Sequence, residues 1–283
     1  MRWPHYDHIF FDCDSTLTTV EGIDILAESV GKRWRVEVLT QAAMDGELDL
    51  EDVYGKRLQA VKPTRQQVRQ IRQVYKRHVV EDATAVIHTL QSLGHNVYII
   101  SGGLAEPVVE FGLYLGVPRQ NIRAVSVNYN QLSGHWWKNI PDQDRYLAHD
   151  EGALTVSDGK AQIVRELLGE QHGRSLLIGD GYSDLMAGTA VDLFVGFGGV
   201  ISRERVRANA PAFIHSASLA PLLALAASPA ALIQLQTTED QLIASKALNL
   251  IKTGAITFND EQLKTKFNAA FHAAHQTIHS RSH

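Results

Sequence analysis

Cysteine occurs once, as Cys13, so no disulfide can form within the chain and a stapled secreted scaffold is excluded. None is needed at 283 residues and 31.3 kDa. Size scaling gives a folded surface of about 12,000 Å² against about 45,000 Å² for the extended chain, so roughly 70% can be buried. Charge of one sign is missing too. Lys plus Arg number 27 and Asp plus Glu 31, a net charge of −4, which gives no global attraction to nucleic acid or an anionic membrane. Long apolar runs are absent as well: residues 219–233 are interrupted by Pro221, Ser228 and Pro229 and fall short of the roughly 20 residues a bilayer requires. Met1 to His8 has no apolar core and does not read as a signal peptide. With no fixed-period repeat, a solenoid is excluded. These absences leave a globular protein expected in the reducing cytoplasm, with neither nucleic acid nor membrane as a partner.

What is present is alternation. Short β-forming runs at His8 to Phe11, Asn96 to Ile100, Ser175 to Ile178 and Leu193 to Val195 are separated by helical patterns. This order predicts an α/β fold, a doubly wound parallel sheet with crossover helices, whose ligands sit at the carboxyl ends of its strands. Three of those ends run into polar turns: DCDST at 12–16, SGG at 101–103 and GDG at 179–181.

More than eighty residues separate the first two strands, far more than one crossover needs. Their helical patterns at Gly22 to Val30, Trp34 to Met44 and Leu50 to Val61, then one opened by Thr64 with Gln67 in capping-box spacing, predict an inserted helical cap over residues 16–81. Residues 1–15 and 82–225 then form the catalytic core. From Pro229 Ala, Gln and Thr dominate, and Thr238 with Gln241 and Asn259 with Gln262 read as helix starts. Residues 226–283 are expected as a C-terminal helical extension, packed on the core or on a second copy in a homo-oligomer.

Asp12 and Asp14 flank Cys13 at a strand end. Two carboxylates crowded there repel one another unless a cation neutralises them, and hard oxygen ligands suit Mg²⁺. One could attack phosphorus while the other exchanges a proton with the leaving oxygen. Ser101, Gly102 and Gly103 lie between a strand and a helix, offering a hydroxyl and N–H groups to an oxyanion. Lys160 opens a helix in SDGK, and Asp180 and Asp184 in GDGYSD supply further acid for a metal. Each residue has an ordinary reading as turn glycine, cap or solvated lysine. Their joint order fits phosphoryl transfer.

This set resembles the haloacid dehalogenase superfamily and, within it, the phosphoserine phosphatase family, over about Asp7 to Leu225. The resemblance rests on DCDST, EGID at 21–24, SGG, Lys160, GDGYSDL and GFGGV at 196–200. It implies a Mg²⁺-dependent phosphomonoesterase with Asp12 as the nucleophile that becomes an aspartyl phosphate and Asp14 as general acid and base. Ser101, Gly102 and Lys160 would hold the phosphoryl group. Asp12, Asp180, Asp184 and the backbone carbonyl of Asp14 would serve the metal. Glu21, Met44, Arg57, Gly103 and Ser183 would contact the substrate, with Glu21 and Arg57 matching the ammonium and carboxylate of L-phosphoserine. Leu50 where the family often has Phe, Ser183 where it has Asn or Thr, and the extension beyond Leu225 are departures. They leave room for another small phosphorylated metabolite, for transfer to an alcohol, or for a catalytically retired binding or assembly module.

Three further features take plainer readings. Arg65, Arg69, Arg72 and Lys76 share one helical face within an acid-free stretch, Val53 to Val80, and read as a solvated stripe, with substrate steering or an acidic partner as the alternative. His272, His275 and His279 read as a surface cluster, and Trp136 and Trp137 as packing residues of a hairpin. Cys13, between two aspartates, is expected to be a buried thiol rather than a nucleophile.

Overall fold

The computed structural model describes residues 3–130 and 144–281, apart from the side chains of Arg35 and residues 275–281. Trp136 and Trp137, and the side chains of His275 and His279, lie outside the described residues. The chain runs β1 (His8–Phe11), α1 (Gly22–Ser29), α2 (Arg33–Met44), α3 (Leu50–Val61), α4 (Arg65–Arg77), α5 (Ala83–Ser92), β2 (Asn96–Leu104), α6 (Ala105–Tyr114), β3 (Ile122–Val125), β4 (Val127–Asn130) and β5 (Arg145–His149). It continues with α7 (Lys160–Leu168), β6 (Ser175–Gly179), α8 (Tyr182–Ala187), β7 (Leu193–Phe197), α9 (Glu204–Asn209) and β8 (Ala212–Ile214). The last elements are α10 (Leu222–Ala227), α11 (Pro229–Leu232), α12 (Thr238–Lys252), β9 (Ile256–Phe258) and α13 (Glu261–Arg281).

One seven-stranded sheet has the order β3-β2-β1-β6-β7-β8-β9. Every neighbouring pair in it is parallel except β8 with β9. The strands at its centre are buried throughout, as expected of a parallel sheet covered on both faces. The doubly wound α/β expectation therefore holds. In this sheet β1 pairs with β2 on one side and β6 on the other. That brings DCDST, SGG and GDG side by side at one sheet edge.

Helices α1 to α5 lie between β1 and β2, and α1 to α4 form an excursion from the sheet. The chain leaves and re-enters the sheet region at adjacent points: Val80 N–H donates to Leu17 O, and Thr19 N–H to His78 O. The Thr64–Gln67 capping box forms at the start of α4. The basic stripe on α4 is not simply solvated. Arg65 Nε and Arg69 Nε meet the two oxygens of Glu106 at 2.9 and 3.0 Å, and Arg72 Nη1 and Lys76 Nζ those of Glu110 at 2.6 and 3.3 Å. This zipper joins α4 to α6.

The extension departs from an all-helical expectation. Residues 256–258 form β9, which pairs antiparallel with β8 at the sheet edge. A three-residue strand carries no readable periodicity, and its conformation comes from the unpaired edge it covers. The helices of the extension pack on the core. Asp240 of α12 accepts a hydrogen bond from Thr89 of α5 at 2.6 Å, and Phe267 of α13 meets Trp3 edge-on at 4.9 Å.

Candidate active site

The site is assembled from the loops after β1 and β6, the last residues of β2 and the start of α7, under a roof of residues from α1 to α4. Asp12 follows the last residue of β1 and its N–H donates to Ile178 O at 3.0 Å, so sheet pairing fixes the backbone that carries the carboxylate. Cys13 turns into the core, where burial pushes its thiol well up. The strand β2 does not stop at Ile100; it runs on to Leu104 with its register broken between those two residues. Ser101, Gly102 and Gly103 form that irregular stretch, which α6 follows directly. Ser101 Oγ accepts a hydrogen bond from Gly103 N–H at 2.9 Å, drawing the loop into a tight cup.

Lys160, the first residue of α7, is buried, and its Nζ lies 2.5 Å from Asp12 Oδ1 and 2.6 Å from Asp184 Oδ1. Burial opposes its charge, yet the Asp12 and Asp184 carboxylates hold its pKa above the usual value. Asp184, on α8, also accepts the Gly181 N–H at 3.1 Å. It can tuck under the strand because β6 ends in Gly179, where a Cβ would collide with the Asp184 carboxylate. Asp180 is wholly buried, with Thr16 Oγ1 donating to Oδ1 at 3.3 Å and Arg203 Nε to Oδ2 at 3.0 Å.

Of four buried carboxylates, those of Asp12, Asp180 and Asp184 pair with the buried cations Lys160 and Arg203, and that of Asp14 pairs with neither. Burial pushes Asp14 up to about 7 and Asp184 to about 6, with Asp12 adding to both, and it holds Asp180 well above the carboxylate range. Asp12, Asp180 and Asp184 each offer an oxygen within 4.8 Å of the others, and Asp12 Oδ2 has no partner. An all-carboxylate donor set with surplus negative charge fits a hard divalent cation. The Asp14 carboxylate stands outside that trio. Its Oδ2 accepts the Gly22 N–H at 3.1 Å, and its Oδ1 is buried without a partner.

The roof brings Glu21, Met44 and Arg57 into the same pocket as Asp12, Asp14, Gly102, Gly103, Lys160 and Ser183, so every residue picked out by sequence for the substrate lines it. Glu21, partly buried, accepts a hydrogen bond from Ser15 Oγ at 2.8 Å and is pushed up to about 8 by burial, with Asp14 adding. Arg57, on α3, is 7% exposed, donates to Thr40 Oγ1 at 3.1 Å, and has an Nε without a partner. No carboxylate pairs with it among the described residues, so a buried guanidinium lines the pocket with its Nε unused.

Sequence reasoning missed several participants. Tyr54 of α3 donates to Gly102 O at 2.8 Å, and Tyr75 of α4 also lines the pocket. Arg203 bridges Asp180 to Asp45, just beyond α2, through Nη1 at 3.0 Å, while Arg205 donates to Gly46 O at 2.9 Å and lies over the Tyr182 ring. Only the short GFGGV strand end upstream of Arg203 and Arg205 pointed in their direction.

A family model described as haloacid dehalogenase-like hydrolase matches residues 6–192. The phosphoserine phosphatase of mouse is 32% identical over 210 residues, covering 74% of this chain and 88% of the mouse protein. The human phosphoserine phosphatase is 31% identical over the same shares. This chain belongs to the phosphoserine phosphatase family of haloacid dehalogenase-like hydrolases. It is a phosphatase. A phosphoserine phosphohydrolase-like protein from Francisella tularensis has the same fold, with a TM-score of 0.61 at 24% identity over 76% of this chain and 96% of that one. Members of this family act on small phosphorylated substrates and generally use a divalent metal, which the buried trio of aspartates can accommodate. No helix among the described residues is long and apolar enough to cross a membrane.

Proposed function

We propose that this phosphatase hydrolyses L-phosphoserine to L-serine and inorganic phosphate, with Mg²⁺ as its metal and an aspartyl phosphate on Asp12 as intermediate. The observation that carries the substrate is that a partly buried Glu21 and a buried Arg57 whose Nε is unpartnered line one pocket with Asp12. A phosphomonoester that also bears an ammonium and a carboxylate satisfies both, because an unpaired buried guanidinium is costly and a bidentate carboxylate is its best partner.

The Asp12 carboxylate attacks phosphorus, and the phosphorus–oxygen bond to serine breaks. Asp14, whose pKa burial pushes up to about 7 with no metal bound, would in its protonated form give that proton to the departing alkoxide. The resulting Asp14 carboxylate then takes a proton from the water that attacks the phosphorus, and cleavage of the acyl phosphate restores Asp12. Lys160 Nζ, the Ser101 hydroxyl and the Gly102 N–H offset charge on the phosphoryl oxygens. Mg²⁺, held by Asp12, Asp180, Asp184 and the Asp14 carbonyl, would supply positive charge beside the transferring group. On this reading residues 16–81 select the substrate, with Met44, Gly103 and Ser183 completing its walls, residues 1–15 and 82–225 perform the chemistry, and the protein works in the cytoplasm.

Phosphate release from L-phosphoserine, phosphoethanolamine, phosphothreonine and sugar phosphates, with Mg²⁺ and with EDTA, tests this. A Mg²⁺-dependent preference for L-phosphoserine of about tenfold or more in kcat/KM, roughly 1.4 kcal/mol, is expected. A flat profile, or a preference for phosphoethanolamine, removes the Glu21–Arg57 clamp from the reading.

A further inference from the structure

Tyr75 is fully buried on α4, its ring edge against Phe111 at 5.4 Å. Its hydroxyl and the Asp14 carboxyl both lie against Gly22, and no described group makes a hydrogen bond with that hydroxyl. A hydroxyl taken out of water without a settled partner is costly, and a phenylalanine would fill the same volume without that cost. Gly22 explains how the hydroxyl reaches the spot. A methyl group there would overlap the Tyr75 oxygen and stand 3.6 Å from Asp14 Oδ2, so phenol, carboxyl and the N-terminal turn of α1 converge on one glycine. The two oxygens of Asp14 are unlike: Oδ2 takes the Gly22 N–H at 3.1 Å, whereas Oδ1 has no partner.

We propose that Tyr75 is a positioning residue for Asp14, its hydroxyl joining the Gly22 N–H on one side of the carboxyl so that Oδ1 is the oxygen presented to the substrate. The proposal rests on the reading of Asp14 as the proton donor to the leaving alkoxide. In that step the phosphorus–oxygen bond breaks and the Asp14 proton moves to the alkoxide oxygen, so no further reactant is required. A carboxyl free to rotate would offer its proton in the wrong direction for part of the time, and the loss should grow with the need of the leaving group for that proton.

Leaving-group dependence separates this role from simple packing. Tyr75→Phe and Gly22→Ala, the second pushing the phenol away while leaving Tyr75 in place, are compared with wild type and Asp14→Asn. The substrates are p-nitrophenyl phosphate, whose leaving group departs without protonation, and whichever alkyl phosphate the wild type hydrolyses fastest. Because kcat/KM reports events up to leaving-group departure, Tyr75→Phe should lose about tenfold on the alkyl ester and less than about twofold on the aryl ester. Inhibition by inorganic phosphate should be unchanged. Equal losses on both esters, or none, in a folded variant would overturn the proposal, and Gly22→Ala decides in the same way if Tyr75→Phe does not fold. Should Asp14→Asn spare the alkyl ester, the role of Asp14 itself falls and Tyr75 with it. A strong alkyl bias in Asp14→Asn that neither other variant shares would remove Tyr75 alone.

Discussion

At the carboxyl ends of β1, β2 and β6, four buried carboxylates face two buried cations, and Asp12 and Asp14 each retain an oxygen without a partner. Around the extension, on the flank of α5 and at the β8 edge, α10 is buried along its whole length and Phe267 packs among Trp3, Phe258 and Phe271. The first region holds groups that would be more stable in water, and the second holds groups that would not. Work and cohesion are therefore kept apart. A metal and a substrate can relieve the crowding at the site, whereas nothing needs to enter the apolar flank.

Substitutions on the two sides should separate activity from stability, and the largest effect is expected at the site. Asp12→Asn keeps volume but removes the proposed nucleophile, so turnover should fall by at least about 10⁴-fold while the thermal midpoint stays within a few degrees of wild type. Measurable near-normal turnover would take Asp12 out of the mechanism. The mirror experiment is Phe267→Ala, with Phe267 2% exposed. Loss of a buried phenyl should cost about 3–5 kcal/mol of unfolding free energy without changing kcat/KM per folded molecule. A parallel fall in kcat/KM would mean that the flank and the site are coupled and the separation is false.

How much of this was legible before the structure follows the same division. DCDST, SGG, Lys160 and GDGYSD are local strings whose chemistry is set within a few residues; the fold brings Asp12, Asp14, Ser101, Gly102, Gly103, Lys160 and Ser183 into one pocket and sets Asp180 and Asp184 beside Asp12. Local signals also marked the Thr64 cap, and placed the starts of α12 and α13 one residue from where Thr237 and Asp260 cap them. What escaped notice was set by distant partners. The α4 cations read as solvated because helical periodicity reports a face but not its neighbour, and Glu106 and Glu110 lie on a helix beyond β2. Arg203, Tyr54 and Tyr75 are ordinary residues in sequence, and only folding sets them against Asp180, Gly102 and Asp14. The SGG stretch reads as a turn, because a strand that continues through a broken register looks like a strand end when read locally.

A smaller effect sharpens the comparison inside the site. Arg57→Ala should raise KM for L-phosphoserine by about 10–100-fold, in line with the roughly 1.5–3 kcal/mol of a hydrogen bond to a charged group, and should barely change KM for phosphoethanolamine, which has no carboxylate. Equal increases would mean that Arg57 supports the pocket without reading a carboxylate. Such a result would move Arg57 from the working side of the molecule to the cohesive one.

The smallest effect lies at the amino ends of the strands. His95 precedes β2, stacks on His5 at 4.3 Å and meets Tyr6 O through Nδ1, with Nε2 unpartnered. Burial lowers its pKa to about 4, the neighbouring His5 adding to this and Asp7 opposing it. The unfolded chain, titrating near 6.5, therefore binds the proton that the folded chain refuses. Stability from this group is complete above about pH 6.5 and is lost as the pH falls toward 4, about 2 kcal/mol of it between pH 7 and 5. The raised acids of the metal-free site act with the opposite sign, because the folded state binds their protons more readily than the unfolded chain, so acidification favours that end of the sheet. Denaturant unfolding of wild type and His95→Asn in EDTA at the two pH values isolates the histidine, whose contribution is the difference between them. A variant that loses as much stability as wild type on going to pH 5 would show that His95 is not the group refusing the proton.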